Sequence, residues 1–442
     1  MTGQRYVIIG NGVAAIAAAQ AIREKDVSGE LVLISDEQAG YYSRPGLAYL
    51  LSDEIPETSL YPFSEADFKR LKTRRIFKRV TRIEPHKHLL IFKDQTSLAY
   101  NRLLLALGAQ SARLTLPGSD LQGIVSLDSL QDARDLLKLA HQARTALVVG
   151  GGITALEIAE AFLIRKVKTH YFLRGERFWS NVLDENESRL VEKRLIEHGL
   201  QVHFSTEISE LQGQRGKLTG VRTQDGKLLN CDLLALAIGI IPRTELAKTA
   251  GLNTDRGILV NDKMQTSAPD IFAAGDVAQV FDPLSGKYVL DSLWTPARQQ
   301  GRIAGLNMAG VAETYRRTSP VNVARMADIP VTIIGAVGRG TNKDLVGIAR
   351  GESESWSLMP EAISAEWSSD VNQVRIIIGQ QTLIGAVVLG DQTISRPLQE
   401  LITQQVDISA IHHPLLQPKA PIARIIIDFW TQYSRENDRS PK

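Results

Sequence analysis

The chain of 442 residues contains a single cysteine, Cys231. One thiol cannot form an internal disulfide, so a structural disulfide and a redox-active cysteine pair within the chain are both excluded. This composition suits a reducing compartment. The sequence also lacks any apolar run close to the roughly 20 residues that a membrane-spanning helix needs. The first four residues are too few for a targeting segment, because a strand is expected to begin at Arg5. We therefore expect a cytoplasmic protein.

The chain has no excess of charge of one sign, since 51 basic and 49 acidic residues leave a net charge of +2. Such a balance gives no general reason to expect binding to nucleic acid. The hydrophobic fraction of 43% and the charged fraction of 23% are ordinary for a globular protein. The length predicts two or three domains with several hydrophobic cores.

A glycine-rich turn between a strand and a helix lies near the start of the chain. Residues 6–9 predict a buried strand, Gly10-Asn11-Gly12-Val13-Ala14-Ala15 follows, and an alanine-rich helix runs to about Lys25. This is a G-x-G-x-x-A pattern in the context that dinucleotide binding requires, with the pyrophosphate facing the helix N-terminus. A second strand over 31–35 ends in Asp36-Glu37, 26 residues after Gly10, where an acid can hold the adenosine ribose.

A second copy of this pattern lies further along the chain. Residues 146–149 predict a strand, Gly150-Gly151-Gly152-Ile153-Thr154-Ala155 forms the turn, and Leu156 to Ile164 forms the helix. Two such units predict two dinucleotides, one held permanently and one exchanged.

The strand after this second helix, residues 169–173, lacks the acid that an NAD site usually carries at its end. Leu173 occupies the expected place and Arg174 follows at once. Loss of the acid removes an acceptor for the ribose 2′-hydroxyl, whereas Arg174 together with Arg177 can pair with a 2′-phosphate. The pattern favours NADP over NAD.

The stretch Thr266–Ala278 is a third candidate element. A turn over 267–270 precedes an apolar strand over 271–274, and Gly275 allows the backbone to approach a bulky group. Asp276 then stands at the carboxyl end of the strand, where open α/β sheets hold their ligands and a carboxylate can accept hydrogen bonds from sugar hydroxyls. The alternative is an ordinary strand that ends in an acidic turn.

Other apolar segments predict further strands at 89–92, 103–107 and 233–238, the last two ending at Gly108 and Gly239. Residues 202–204, 217–223 and 228–232 predict a small meander, and a helix is predicted over 298–309.

The segment Lys69–Arg82 contains eight basic residues and no acid: Lys69, Arg70, Lys72, Arg74, Arg75, Lys78, Arg79 and Arg82. The plainer interpretation is a solvated helix end followed by a turn. The alternative is a docking surface for an acidic partner, because clusters of one sign steer association.

Residues 316–442 predict a separate C-terminal region, with strands at 332–334, 375–378 and 383–389. His412-His413 is interpreted as part of a solvated, proline-rich loop rather than as a metal ligand, and no metal site is predicted. Helical spacing relates Ile422, Ile425, Ile426, Phe429, Trp430 and Tyr433. This stripe indicates packing on the domain's own core, with docking on a partner subunit as the alternative.

The order of these motifs resembles the FAD-dependent pyridine nucleotide-disulfide oxidoreductase superfamily. The two glycine motifs, Leu105-Ala106-Leu107-Gly108, Ala237-Ile238-Gly239 and Ile271–Asp276 carry the resemblance, over about residues 5–315. The loop Tyr42-Ser43-Arg44-Pro45 is similar to that of the branch containing ferredoxin and rubredoxin reductases and the flavin module of nitrite reductase.

The resemblance implies an α/β fold with two Rossmann-like domains, one for FAD and one for NAD(P), and a small C-terminal α/β domain. The FAD domain is expected over 1–118 and 238–315, the NAD(P) domain over 119–237, and the C-terminal domain over 316–442. In relatives the last domain closes over the flavin or forms a dimer contact, so a homodimer is one alternative. FAD is expected on the first motif and Asp276, and NAD(P)H on the second motif. The expected cofactor-binding residues are Gly10, Gly12, Ala14, Ala15, Asp36, Glu37, Arg44, Pro45, Val80, Ala106, Gly108, Gly150, Gly152, Ala155, Glu157, Arg174, Gly239, Gly275, Asp276 and Leu293.

Two departures from the family pattern narrow the chemistry. Disulfide-reducing members carry a reactive cysteine near Ser43 or Arg44, and its absence excludes thiol–disulfide chemistry and a cysteine sulfenate that reduces oxygen or peroxide. A lysine near the flavin in the ferredoxin reductase branch is replaced here by Tyr49, so a salt bridge from this position to Glu157 cannot form. Glu157 then has two interpretations, an acid stabilised by the helix dipole or a residue beside the flavin.

The leading hypothesis is an FAD enzyme in which hydride passes from NAD(P)H to the flavin and electrons leave singly or in pairs for an acceptor. The protein supplies position and excludes water, so no protein acid or base is expected to be essential. The expected acceptor is a small iron–sulfur or rubredoxin-type protein, or an iron–sulfur partner subunit. The alternatives are a low-turnover flavoprotein whose nucleotide-dependent shape serves partner binding, and an NAD(P)H oxidase that uses oxygen, which the missing cysteine disfavours.

Overall fold

Strands and helices alternate along most of the chain, and the α/β fold class predicted from the sequence is confirmed. The computed structural model describes residues 3–283, 286–337, 363–369 and 372–437. Two units share the chain: one comprises residues 1–111, 128–133 and 240–317, and the other residues 112–127, 134–239 and 318–442. Residues 338–362, 370–371 and 438–442 of the predicted C-terminal domain lie outside the described residues.

The strands follow the apolar segments of the sequence. The first eight are β1 (Arg5–Ile9), β2 (Glu30–Ser35), β3 (Thr73–Phe77), β4 (Val80–Glu84), β5 (Leu89–Phe92), β6 (Ser97–Ala99), β7 (Arg102–Leu105) and β8 (Ala109–Ser111). The next eight are β9 (Ile124–Val125), β10 (Thr145–Val149), β11 (Lys168–Phe172), β12 (Gln201–His203), β13 (Ile208–Gln214), β14 (Lys217–Thr223), β15 (Leu228–Asn230) and β16 (Leu233–Leu236). The others described are β17 (Ile240–Pro242), β18 (Ile258–Leu259), β19 (Ile271–Ala273), β20 (Ala278–Asp282), β21 (Lys287–Leu290), β22 (Val321–Met326), β23 (Ile329–Gly335), β24 (Ile363–Ser369), β25 (Asn372–Ile378) and β26 (Leu383–Leu389).

The α-helices of the described residues lie between these strands and after the last of them. They are α1 (Val13–Lys25), α2 (Gly46–Leu51), α3 (Glu65–Arg70), α4 (Leu130–Ala140), α5 (Ile153–Ile164), α6 (Glu185–Glu197), α7 (Glu245–Thr249), α8 (Trp294–Met308), α9 (Ser395–Thr403), α10 (Ser409–Leu415) and α11 (Ile422–Asn437). Short 3-10 turns occur at Glu57–Leu60 and Pro85–Lys87.

The central sheet of the first unit is parallel, with the strand order β19-β7-β1-β2-β3. Its inner strands are nearly continuous apolar runs because helices cover parallel sheets on both faces. Helix α1 packs directly on α8, where small residues let the backbones approach closely. Parallel strands direct their carboxyl ends to one edge, so the segments that follow β1, β2, β7 and β19 share that edge.

The second unit repeats this arrangement with the parallel order β12-β11-β10-β16-β9. A separate meander contains β13, β14 and β15. The prediction that residues 202–204 belong to this meander is wrong, because β12 pairs in parallel with β11 at the edge of the main sheet. The first meander strand is instead β13. Its burial pattern does not alternate regularly, and its pairing with β14 contains shifts in register.

The C-terminal part of the second unit contains an antiparallel sheet in the order β22-β23-β26-β25-β24. Helices α9 and α11 share its core, to which the predicted stripe of α11 contributes the fully buried Ile426 and the partly buried Trp430. Packing on the domain's own core is thereby confirmed for the stripe. His412 and His413 lie in α10 rather than in a loop, since Pro414 occurs in the last turn of that helix without ending it.

Candidate dinucleotide-binding sites

The first glycine turn has a backbone that only glycine tolerates at Gly10. Its φ is +124°, and a Cβ on it would lie 2.0 Å from the carbonyl oxygen of Ala106. The Gly10 N–H donates to the carbonyl of Ile34 at 2.8 Å, which ties the turn to the end of β2. The sequence therefore needs glycine here so that β1 can turn into α1 directly beside two neighbouring strands.

No acidic side chain of its own first turn neutralises the partial positive charge at the N-terminus of helix α1. Gly12 precedes the helix without a side-chain cap, and no acid occurs in its first turn. The nearest side-chain atom to a Cβ placed on Gly12 is Nη1 of Arg44, at 4.0 Å. The first-turn N–H groups and a guanidinium thus border the same open space, which suits a pyrophosphate. Ala14 and Ala15 are buried in the first turn of the helix, where their small side chains allow close packing.

The two acids after β2 have different surroundings, which the sequence does not distinguish. Glu37 accepts hydrogen bonds from the Tyr42 hydroxyl at 2.5 Å and from Arg44 at 3.0 Å. Asp36 is exposed at the carboxyl end of the sheet. Asp36 is therefore the better placed of the two to receive a ribose, while Glu37 holds the loop.

Tyr42 anchors this loop, a role that the sequence interpretation missed. Its ring lies under the guanidinium of Arg44, 5.1 Å from centroid to carbon, and its hydroxyl accepts the N–H of Leu130 at 3.0 Å. Burial raises the pKa of Tyr42, so it remains a neutral hydroxyl that can donate to Glu37. Pro45 follows as the cap of α2. The only signal in the sequence is a buried-type aromatic residue two positions before an arginine.

The remaining predicted residues of the first unit occupy several places. Asp276 follows β19, and Ala106 follows β7, so both lie at the edge that carries Gly10. Gly108 leads into β8, which pairs with β17. Leu293 is buried and precedes α8, whereas Val80 begins β4 and packs against the core of the unit.

The second glycine turn reproduces the first. The φ of Gly150 is +152°, a Cβ on it would lie 2.3 Å from the Ala237 carbonyl, and its N–H donates to Phe172 at 3.3 Å. Gly152 precedes α5 without a side-chain cap, Ala155 is fully buried, and no acid occurs in the first turn. Gly239 follows β16 and accepts a hydrogen bond from the N–H of Ala112 at 2.9 Å.

The strand register places Arg174 where the first unit has Asp36. Ile9 pairs with Ile34 in the first sheet, and Val149 pairs with Phe172 in the second. Counting two residues onward from Ile34 and from Phe172 reaches Asp36 and Arg174 respectively. Arg174 is exposed, while its neighbour Leu173 is buried. An arginine thus stands at the position equivalent to that of the acid predicted to bind a ribose in the first unit.

Helix α5 begins at Ile153 rather than at the predicted Leu156, because Gly152 is its cap. Glu157 is therefore the fifth residue of the helix and lies beyond its first turn. The interpretation of Glu157 as an acid of the first turn is wrong, since the helix dipole acts mainly within that turn. Glu157 is half-buried and contributes to raising the pKa of Glu160, which burial brings to about 7.

The basic segment Lys69–Arg82 begins with the predicted helix end and turn, since α3 ends at Arg70, but most of the segment forms β3 and β4. Acids elsewhere in the sequence pair with five of its eight cations: Arg70 with Asp67, Arg74 with Glu30, Arg75 with Glu65, Lys78 with Asp94 and Arg82 with Glu84. Lys69, Lys72 and Arg79 are exposed and form no ion pair within the part of the chain that the structure describes. The charge available to a partner is therefore smaller than the sequence indicates.

Similarity over about two thirds of the chain establishes its family. The profile of the family described as pyridine nucleotide-disulphide oxidoreductase matches residues 4–301, which include both glycine turns and Asp276. The chain belongs to this family. It lies in the branch that resembles ferredoxin and rubredoxin reductases, and it is an FAD-dependent NAD(P)H oxidoreductase.

Two curated members and one solved structure illustrate the similarity. The ferredoxin–NAD(+) reductase component of a 3-phenylpropionate/cinnamic acid dioxygenase from Photorhabdus laumondii is 33% identical, over 71% of this chain and 79% of that protein. An NADH oxidase of Methanocaldococcus jannaschii is 29% identical, over 79% of this chain and 80% of that protein. The fold matches the reductase in a covalent putidaredoxin reductase–putidaredoxin complex with a TM-score of 0.84, at 22% identity, covering 98% of this chain and 100% of that one.

The sole thiol of this oxidoreductase is chemically quiet. Cys231 is 1% exposed, and burial raises its pKa to about 12. A thiol in this environment stays protonated and does not act as a nucleophile. Within the described residues, no helix combines the length and the apolar character that crossing a membrane requires.

Proposed function

We propose that this oxidoreductase takes hydride from NADPH and passes electrons through FAD to a small iron–sulfur or rubredoxin-type protein. FAD supplies the hydride acceptor and the one-electron or two-electron donor when it is bound. We assign its binding to residues 1–118 and 238–315, and that of the nicotinamide nucleotide to residues 119–237. Residues 316–442 form the C-terminal domain in this proposal.

The proposed flavin site divides its work among a few residues. The first turn of α1 and Arg44 receive the pyrophosphate, and Asp36 accepts hydrogen bonds from the adenosine ribose. Asp276 accepts hydrogen bonds from the ribityl hydroxyls. Each such bond contributes about 0.5–1.5 kcal/mol, or more when it is charge-assisted. Asp276→Ala should therefore lose much of its bound flavin on purification, and full occupancy in this variant would contradict the assignment.

The preference for NADPH rests on the equivalence of Arg174 and Asp36 in the two sheets. A guanidinium binds a 2′-phosphate through charge-assisted hydrogen bonds, whereas it cannot accept a hydrogen bond from a 2′-hydroxyl. Arg174→Ala should weaken NADPH binding by about 1.5–3 kcal/mol, the range of a hydrogen bond to a charged group. NADH binding should change little, because NADH carries no phosphate at that position.

Stopped-flow reduction of the flavin by each nucleotide measures both effects. Arg189→Ala is the matched control, since Arg189 is exposed on α6 and pairs with Glu185 one turn away. We expect the control to behave as the wild type with both nucleotides. Faster reduction of the wild type by NADH than by NADPH at equal concentration would refute the proposed preference.

The protein acceptor is supported by the names of related proteins, which include reductases of ferredoxin and of rubredoxin. Lys69, Lys72 and Arg79, which form no ion pair with the residues that the structure describes, offer positive charge to such carriers, which are commonly acidic. Their charge is expected to act on the association rate and to be screened by salt. Arg74 and Arg75 are poor choices for a test, because reversing them would also place new acids beside Glu30 and Glu65.

The test reverses Lys69, Lys72 and Arg79 to glutamate together. Electron delivery to the protein acceptor should slow at low salt, while reduction by NADPH and turnover with a small neutral dye should be unchanged. Reversal of Lys248, Lys263 and Lys287, which are exposed in the same unit, gives the same change in net charge as a control. An equal loss of rate in both triple variants would eliminate a localised docking surface.

An NADH oxidase among the relatives makes oxygen the competing acceptor. Steady-state oxygen consumption without a carrier protein separates the two functions. Turnover with oxygen as fast as turnover with a ferredoxin would contradict the proposed acceptor. Slow turnover with every acceptor would instead indicate the binding-scaffold alternative.

A further inference from the structure

The loop that carries Asp276 is attached to α8 by a buried glutamine. The N–H of Gly275 donates to Oε1 of Gln300 at 2.9 Å, and Gln300 is fully buried. On the other side of Asp276, the N–H of Ala278 donates to the Gly275 carbonyl at 2.8 Å. Asp276 therefore lies inside a closed turn whose first residue is held by a side chain from a helix.

Gln300 is a long polar residue among small buried residues of α8. Ala297, Gly301 and Ala304, on the same helix, are small, and Gly301 packs so tightly that a Cβ on it would lie 2.1 Å from the Ala14 carbonyl. A buried amide in such a place costs free energy unless its polar atoms are paired. The partner it serves is a backbone N–H that would otherwise be buried without an acceptor.

A second buried group lies behind the glutamine. The Gln300 amide nitrogen and the Tyr315 hydroxyl have no well-formed hydrogen bond among the described residues. They are nevertheless close enough for Gln300 to oppose the rise in the pKa of Tyr315, which burial and Asp291 bring to about 12. We take the two groups as neighbours whose contact falls short of full hydrogen-bond geometry.

A backbone hydrogen bond and a buried ion pair fix the segment that carries Tyr315. Its backbone N–H donates to the Asp262 carbonyl at 2.6 Å. Arg317, two residues later, donates to the Asp291 carboxylate at 2.9 and 3.0 Å, with both side chains less than 10% exposed. A bidentate pair of this kind has a fixed geometry. The segment that carries Tyr315, the neighbour of Gln300, is thus fixed at both Tyr315 and Arg317.

We propose that Gln300 is a positioning residue for flavin binding, which fixes the Gly275 N–H and thereby the carboxylate of Asp276. The inference rests on the proposed role of Asp276 in holding the ribityl chain. In this proposal the affinity for FAD depends on a buried residue that does not itself contact the ligand. Gln300 acts only through Asp276, so its contribution should vanish when Asp276 is absent.

The experiment measures the dissociation constant of FAD, by flavin fluorescence, in a double-mutant cycle of Gln300→Met and Asp276→Ala. Methionine keeps the length of the side chain and removes the acceptor oxygen. We expect Gln300→Met to weaken FAD binding about tenfold, the scale of an unpaired buried N–H. In the Asp276→Ala background the same change should alter the dissociation constant less than about twofold.

Two further variants serve as comparisons. Gln299→Met changes the adjacent, exposed glutamine of α8 and should bind FAD as the wild type does. Gln300→Asn keeps the amide on a shorter side chain, so its oxygen should no longer reach the Gly275 N–H and FAD binding should weaken as in Gln300→Met. If Gln300→Met does not fold, Gln300→Asn provides the cycle instead, because its shorter side chain keeps the amide but withdraws the oxygen from the Gly275 N–H.

The outcomes separate this inference from the proposed flavin site. Tight FAD binding by Asp276→Ala would overturn the flavin site and, with it, the role of Gln300. Weak binding by Asp276→Ala and unchanged binding by Gln300→Met would overturn the role of Gln300 alone. An equal weakening by Gln300→Met in both backgrounds would mean that the glutamine only stabilises the fold, which also overturns the inference.

Discussion

Replacement of Arg375 by methionine is predicted to destabilise the second unit strongly. The guanidinium donates two hydrogen bonds of 2.9 Å to the carboxylate of Glu187, and the two side chains are only 7% and 2% exposed. It also donates to the carbonyl groups of Val182 and Val337, at 2.8 Å each. One side chain of β25 thus connects the segment before α6 to the residues after β23.

The magnitude follows from burial on both sides of the pair. Removing one partner of a buried ion pair typically costs about 3–5 kcal/mol, because the other charge remains without compensation. Total stabilities of about 5–15 kcal/mol make this a large fraction. Burial already raises the pKa of Glu187, and Arg375 opposes that rise. Without Arg375 the pKa of Glu187 should rise further, so the destabilisation should be greatest at high pH and shrink as the pH falls and the carboxyl binds a proton.

Urea unfolding followed by tryptophan fluorescence measures the effect, since the buried Trp179 lies in the segment that Arg375 contacts. The double variant Arg375→Met/Glu187→Gln should recover much of the loss, because the most buried carboxylate that Arg375 pairs with is then neutral; Asp184, 3.5 Å from Arg375, keeps its charge but is more exposed. Arg424→Met is the control, as Arg424 is 83% exposed and its pair with Asp428 should contribute no more than about 1 kcal/mol. Equal losses in Arg375→Met and Arg424→Met would refute the reasoning.

Three further predictions concern other buried groups. Burial lowers the pKa of His170 to about 4 and also lowers that of His203, whose ring nitrogen lies 2.9 Å away. The stability that the neutral pair contributes should therefore be lost as the pH falls from about 6.5 toward 4. The free energy of unfolding of the wild type and of a double leucine variant across this pH range measures the loss, and parallel pH profiles would contradict it. Gly301→Ala should lower the Tm of the apoprotein, because the new Cβ meets the Ala14 carbonyl; an unchanged thermal melt would show that the two helices can separate at no cost. Cys231 should resist a thiol reagent in the native protein and react after denaturation, and rapid labelling of the native form would contradict its burial.

The sequence was sufficient for the features that depend on neighbouring residues. A strand, a glycine turn and a helix follow one another within about twenty residues at Gly10 and again at Gly150, and the structure contains both segments, the second helix beginning three residues before its predicted start. Short-range patterns of this kind reflect steric limits on the backbone and the alternation of buried and exposed side chains, which act before any long-range contact forms. The assignment of particular residues to FAD and to the nicotinamide nucleotide stays a prediction.

Tertiary structure decided which charges and polar groups meet. Arg74 pairs with Glu30, which precedes it by 44 residues, and Arg375 pairs with Glu187 across 188 residues. No local pattern connects such residues, because their proximity depends on how the sheets are ordered and on the register between strands. The same register equates Arg174 with Asp36. A sequence determines which side chains are charged. Only the folded chain determines which of these charges are neutralised in ion pairs and which remain available to a ligand or a partner.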